Sequence, residues 1–254
     1  MKKAVLIILT IFCLEIFAQP IIINTLPKSG SMFILHNLAD QLKGGMKSYH
    51  EIAHQSFPED SINISKLLML LSGDRITQSH FDASDRNIKL LKRYCPRMIL
   101  NVRDVRQATL SWIHHLDKHL DNPEMLKMLL LPLPNNYGSL SFEEKLDWNI
   151  DHYLPSCIKW IEDWLDVEKE QSLEILVTTY ENLVEDQLGF FQDIYDFYNI
   201  PYKVIDSNML KPSKSLHFRN GTSDEWVYVF TREQKERATS LIPEDLFERF
   251  QWIR

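Results

Sequence analysis

Residues 20–33 read Pro-Ile-Ile-Ile-Asn-Thr-Leu-Pro-Lys-Ser-Gly-Ser-Met-Phe. Ile21, Ile22 and Ile23 form a β-branched apolar run, the pattern of a buried parallel strand. The run breaks at Pro27 and gives way to small and polar residues, Lys28, Ser29, Gly30 and Ser31. Apolar residues then return at helical spacing, at Phe33, Ile34, Leu38 and Leu42. Strand, short loop and helix in this order build a cradle for an anion. Loop amides and first-turn N–H groups point into it, and the helix dipole favours negative charge there. Lys28 adds a full positive charge, Ser29 and Ser31 add hydroxyls, and Gly30 lets the backbone approach a ligand closely. The plain alternative is an ordinary strand-to-helix turn with an exposed lysine.

The loop differs from the nucleoside-triphosphate loop that runs Gly, four residues, Gly-Lys-Ser/Thr. Its lysine precedes the glycine, and no Ser/Thr closes a long glycine loop to hold Mg²⁺. The chemistry it suggests is recognition of a phosphate-like anion without a metal.

Outward from this stretch the chain alternates strand and helix. The first helix runs Phe33 to Leu42 and stops at Gly44-Gly45. Ser61 to Leu71 is a short helix with Ile64, Leu67, Leu68 and Leu71 as its apolar stripe, stopped at Gly73. Ile76 to Ser79 is a strand with His80 at its carboxyl end, the end at which open α/β sheets bind ligands. Asp85 to Tyr94 is a helix, Met98 to Val102 a second buried strand, and Gln107 to Leu116 a helix with Ser111 on its second turn. Residues 121–140, with three prolines, form a long surface excursion suited to a lid or an acceptor-binding loop. Ser141 to Glu144 is a capping box that opens a long helix. Pro155 falls inside that helix and is expected to kink or split it, and its Trp148, Tyr153, Trp160 and Trp164 read as core. Leu173 to Thr179 is a strand closed by Tyr180-Glu181-Asn182-Leu183, and Val184 to Tyr198 a helix. Residues 203–217 are irregular, Phe218 to Gly221 is a basic turn, and two short helices end the chain. The fold class is therefore α/β, three-layered, with a mainly parallel central sheet and helices on both faces.

The chain has 254 residues, 44% hydrophobic and 25% charged, which suits one domain with a full core over residues 19–254. A net charge of −7 argues against nonspecific nucleic-acid binding. Cys13, Cys95 and Cys157 make no disulfide framework and no zinc spacing, and the nine histidines contain no His-Glu-x-x-His, so no metal is expected. Met1-Lys2-Lys3 followed by the apolar Ala4 to Leu14 reads as a secretory signal or anchor over residues 1–18, too short for a stable membrane span, which suggests an exported or lumenal protein. The alternative is a buried N-terminal element, which would make the protein cytoplasmic.

Thr25-Leu26-Pro27-Lys28-Ser29-Gly30-Ser31-Met32-Phe33 resembles the 5′-phosphosulfate loop of the sulfotransferases. Three further segments, in the same order, extend the resemblance over residues 20–254. Arg103-Asp104-Val105-Arg106 with Ser111 is similar to the family's 3′-phosphate segment; Arg103 can grip a phosphate with two donors, or pair instead with Asp104. Tyr180-Glu181-Asn182-Leu183 resembles Tyr-Glu-Asp-Leu, whose Tyr lies near the base. Arg219-Asn220-Gly221, followed by Asp224, Glu225 and Trp226, resembles the segment that closes over the 3′-phosphate, with Asn220 where the family has Lys. Gln78-Ser79-His80 keeps the family's histidine but not its lysine; read alone, His80 is a satisfied histidine at a helix start.

The resemblance implies a P-loop-like nucleotide-binding architecture. It implies transfer of a sulfuryl group from 3′-phosphoadenosine 5′-phosphosulfate (PAPS) to a hydroxyl or amine of a small-molecule, lipid, carbohydrate or peptide acceptor. His80 is then the base and Lys28 stabilises the leaving phosphate. Lys28, Ser29, Gly30, Ser31, Met32, Phe33, Arg103, Ser111, Tyr180, Arg219, Asn220 and Gly221 hold the donor, with Phe33 on the adenine. The competing readings are a non-catalytic nucleotide- or glycan-binding relative and a P-loop kinase. Oligomeric state is not readable from the sequence.

Overall fold

The structure is a computed structural model and describes residues 20–41, 48–49, 51–53, 56–72, 75–122, 132–200 and 222–254. Five parallel strands form one sheet: β1 (Ile21–Thr25), β2 (Ser48–Tyr49), β3 (Arg75–Ser79), β4 (Arg97–Val102) and β5 (Glu174–Thr179), ordered β2-β3-β1-β4-β5. β1 is central because it is apolar on both faces. Ile21, Ile22 and Ile23 are all 0% exposed, and each such burial contributes roughly 1.5–3 kcal/mol. Ile22 points into one hydrophobic cluster; Ile21 and Ile23 point into a second on the opposite face. That alternation makes three layers.

The smaller layer holds α1 (Ser31–Gln41), α6 (Tyr180–Glu185) and α7 (Gln187–Phe197). The larger holds α2 (Ile64–Leu71), α3 (Asp85–Tyr94), α4 (Val105–Asp117), α5 (Phe142–Lys169) and the C-terminal helices α8 (Trp226–Val229), α9 (Arg232–Ser240) and α10 (Glu244–Phe250). A 3₁₀ turn, Tyr137–Ser139, leads into α5.

Several local expectations change. In α2 the inward residues are Leu67 and Leu70, whereas Ile64 and Leu68 are 43% and 47% exposed. The helix is set rotationally by its start: Asn63 caps Lys66 N–H, and Asn87 Oδ1 accepts from Ile62 N–H. The capping box at Ser141 and Glu144 is present. α5 then runs unsplit for 28 residues through Pro155. The carbonyl that Pro155 cannot satisfy belongs to Asp151, an exposed residue on the water side. Tyr180 to Leu183 opens a helix of its own, and Asp186 separates it from α7 by taking Gly189 N–H at 2.9 Å. Three helical segments, not two, end the chain, and β2 adds a strand that the sequence reading lacks.

The C-terminal helices are fixed by Arg106, which is 0% exposed. Its guanidinium pairs with Asp104 at 2.6 Å, donates to Thr239 Oγ1 and the Ile253 carbonyl, and lies over Trp226 at 3.7 Å from the ring centre. Residues 1–18, the turn at 218–221 and the Gly44-Gly45 and Gly73 stops lie outside the described residues.

Candidate active site

The loop between β1 and α1 is held from β4. Leu26 N–H donates to Asn101 O at 2.9 Å, and Asn101 Nδ2 donates back to Ser29 O at 2.8 Å. Asn101 Oδ1 is itself fixed by the Thr178 hydroxyl at 2.8 Å. The sequence reading offers the Ser29 hydroxyl to the anion. In the structure Ser29 is buried and its hydroxyl donates to Leu26 O at 2.6 Å, so it shapes the loop instead. Lys28 and Gly30 both take left-handed backbone, with φ of 69° and 82°. Phe33 and Ile34 N–H groups turn back onto Gly30 O. Ser31 and Met32 open the helix, where N–H groups have no intrahelical partner, and this is the seat an anion would take.

A second wall comes from the ends of β4 and β5. Arg103 Nη1 donates to Lys28 O at 2.7 Å, and its Nη2 donates to Thr222 O at 2.6 Å. The guanidinium lies 3.8 Å from the centre of the Tyr180 ring. The same ring closes on Gly30: a Cβ there would sit 3.1 Å from Tyr180 Cδ2. Asp104 is not the partner of Arg103; it pairs with Arg106 and caps α4. Lys28, Gly30, Arg103 and Tyr180 are thus one packed group. Glu181 joins it, accepting from Asp104 N–H at 3.1 Å. Burial pushes its carboxyl up to about 6, against the pull of its hydrogen bonds.

His80 leaves the end of β3 beside this loop. Its Nδ1 lies 2.6 Å from Thr25 O and 3.2 Å from Thr25 Oγ1. A carbonyl only accepts, so Nδ1 carries the hydrogen and Nε2 keeps the lone pair. Burial pulls the imidazole down to about 4, the Thr25 bond opposing and the nearby Lys28 charge assisting. The ring is therefore neutral at pH 7, which is the state a base needs. Gln78 Nε2 donates to Thr25 Oγ1 at 3.1 Å and stands 3.4 Å from His80 Nε2.

A strand-end histidine, neutral and with Nε2 as its basic nitrogen under a long 3.4 Å contact from the Gln78 amide, thus stands beside a lysine-bearing loop. The sulfotransferase domain family model matches residues 18–249.

The chain belongs to the sulfotransferase family. Its fold is similar to that of mouse sulfotransferase SULT7A1 complexed with PAP, at 18% identity and a TM-score of 0.66, over 92% of this chain and 87% of that one. A sulfotransferase from Alicyclobacillus acidocaldarius matches at 13% identity and a TM-score of 0.47, over 91% and 100% of the two chains. No curated protein matches.

Among the residues expected of a sulfotransferase, the structure brings together Lys28, Ser29, Gly30, Ser31, Met32, Arg103, Tyr180 and His80. Phe33 is half-buried, its ring centre 6.3 Å from that of Phe191, so it packs on the smaller cluster. Ser111 is half-buried two turns into α4 and makes no hydrogen bond among the described residues. Arg219, Asn220 and Gly221 lie outside the described residues; Thr222, the next residue, touches Arg103. Thr25, Asn101 and the amide of Gln78 are parts of the site that the sequence reading did not assign. A Thr just before the loop and two amides at strand ends were the only signals.

At Gly30 a Cβ would meet the Tyr180 ring at 3.1 Å and Leu183 at 3.3 Å, so glycine lets the loop pack closely against α6. Among the described residues no group of three His, Cys, Asp or Glu side chains is placed to hold a metal, and no helix is long and apolar enough to cross a membrane.

Proposed function

We propose that the protein transfers a sulfuryl group from PAPS to a hydroxyl or amine acceptor by in-line displacement. The observation that carries this reading is the His80 imidazole, held by Thr25 O so that Nε2 is its basic nitrogen, met there by a long 3.4 Å contact from Gln78 Nε2 that an acceptor would displace, with the Lys28 loop beside it. Family membership and the likeness in fold to a sulfotransferase complexed with PAP support the nucleotide donor.

When bound, the donor supplies the sulfuryl group and a phosphate leaving group. The first-turn N–H groups of Ser31 and Met32, with Lys28, bind the phosphate end and stabilise charge growing on the leaving oxygen. One such donor is worth roughly 10²- to 10³-fold in rate. His80 Nε2 takes the proton of the acceptor as its oxygen or nitrogen attacks sulfur, worth roughly 10²- to 10⁴-fold. Gln78, neutral where the family has a lysine, leaves Lys28 as the cationic side chain we assign to the sulfuryl group. The acceptor can be a small molecule, lipid, carbohydrate or peptide.

Calorimetric titration of 3′-phosphoadenosine 5′-phosphate into the full-length protein tests the donor. Micromolar binding, lost in Lys28→Ala and kept in His80→Ala, is the expected result. No binding to folded protein would favour a non-catalytic relative.

A further inference from the structure

We propose that Trp160, Trp164 and Asn24 are positioning residues for His80, acting through the carbonyl of Phe81; the proposal rests on His80 being the base of transfer.

The sheet stops fixing this segment one residue too early. The last β3 residue paired to β1 is Ser79, opposite Asn24. His80 follows with no strand partner. What holds the next residue is a convergence of side chains on one oxygen. Phe81 O accepts from Asn24 Nδ2 at 3.0 Å, from Trp160 Nε1 at 3.1 Å and from Trp164 Nε1 at 3.1 Å. All three donors and Phe81 are buried. The two indoles stand one turn apart on α5, so they reach the same side. The Phe81 ring is also clamped, edge-on to Trp164 at 5.7 Å.

One donor would satisfy this carbonyl, which has two lone pairs. The others are not required for the indoles either: Trp226 and Trp252 bury their Nε1 groups with no partner among the described residues. The convergence therefore has a different use, which is to pin a backbone point. Asn24 grips residue 81 while its neighbour Thr25 grips the imidazole, so β1 holds His80 on both sides. Releasing Phe81 O lets the ring leave its 2.6 Å register with Thr25 O, and the Nδ1–H tautomer is then favoured by the long 3.4 Å Gln78 contact alone, too weak to hold a single tautomer.

The test is Trp160→Phe/Trp164→Phe, which removes both N–H groups and keeps aromatic rings. It is read by nitrogen-detected NMR of the His80 ring and by steady-state kinetics. In the unaltered protein the ring is a single Nδ1–H tautomer. In the double variant both tautomers appear and the titration moves toward the ordinary histidine value of about 6.5. Turnover falls about tenfold or more, with donor KM within about threefold, because base geometry and not binding is lost. Trp252→Phe is the control and leaves the His80 signals in place. A double variant with unaltered tautomer, titration and turnover overturns the proposal, as does an equal effect of Trp252→Phe. Should the double variant not fold, Trp160→Phe and Asn24→Ala alone are predicted to shift the His80 signals in the same direction. Unshifted signals in both overturn it. If the unaltered protein transfers no sulfuryl group, the functional reading fails, and the NMR result still decides whether these residues position His80.

Discussion

The imidazole of His80 and the carbonyl oxygen of Thr25 meet at 2.6 Å. Thr25 ends β1 and leads into the Lys28 loop, so the base and the anion seat hang from one residue of the central strand. This is why the two can be held in fixed relation although 52 positions, 28 to 80, separate them in sequence. It also fixes which ring nitrogen is basic.

Activity should therefore persist into acid. The free-protein profile of kcat/KM reports the base, so its acidic limb is expected near pH 4, where burial places His80, and not near 6.5. Stability carries the matching sign. Between about pH 6.5 and 4 the unfolded chain binds a proton that native His80 does not. Stability from this residue is full above that window and lost as pH falls through it. His80→Gln should show a shallower loss of Tm over the same range; an unchanged slope would contradict it.

Lys28 separates strain from charge. At φ 69° it pays the left-handed penalty of roughly 1–2 kcal/mol, which glycine avoids. Lys28→Gly should raise Tm while removing sulfuryl transfer, and Lys28→Ala should remove transfer with no gain. Gly30→Ala has the opposite balance. Its φ of 82° and the 3.1 Å approach to Tyr180 predict a loss of roughly 1–3 kcal/mol in denaturant unfolding, with weaker nucleotide binding.

Arg106 should be the most costly polar residue to truncate. Arg106→Ala leaves Asp104 buried without its cation and releases the Ile253 and Thr239 contacts, a loss of roughly 3–5 kcal/mol. Arg106→Lys keeps the charge but not the fork, so chemical denaturation should place it well below the unaltered protein.

Glu181 carries the reverse pH sign of His80. Burial raises its carboxyl to about 6, so the native state holds a proton that the unfolded chain has released. Its contribution to stability is present below about pH 4.3 and lost as pH rises through 6. Glu181→Gln should therefore stabilise the protein more at pH 7.5 than at pH 5, measured by Tm at both.

The central strand and the loop were legible because apolar run, breaker and helical spacing follow one another from Ile21 to Leu38, and the strand-end histidine because it directly follows the short strand that ends at Ser79. The helix Asp85–Tyr94 was read to the residue for the same reason. What was not legible depends on contacts distant in sequence. Ser29 reads as a ligand hydroxyl until Leu26 and Asn101 are folded against it. Arg103 and Arg106 look equivalent in sequence; only the packing gives Asp104 to Arg106 and leaves Arg103 against Tyr180 and the loop. Pro155 reads as a helix break because sequence does not show that Asp151, whose carbonyl it leaves without an intrahelical donor, is an exposed residue. Trp160 and Trp164 read rightly as core, but no local pattern shows both indoles aimed at one carbonyl.

The most direct test of the central claim is transfer of radiolabelled sulfur from PAPS by the full-length protein to a panel of phenol, sterol, sugar and tyrosine-peptide acceptors, with His80→Ala alongside. The account predicts labelled product with at least one acceptor class and a loss of roughly 10²- to 10⁴-fold in the variant, which still binds the nucleotide. Equal turnover by His80→Ala, or no labelled product from folded protein that binds the nucleotide, would contradict it.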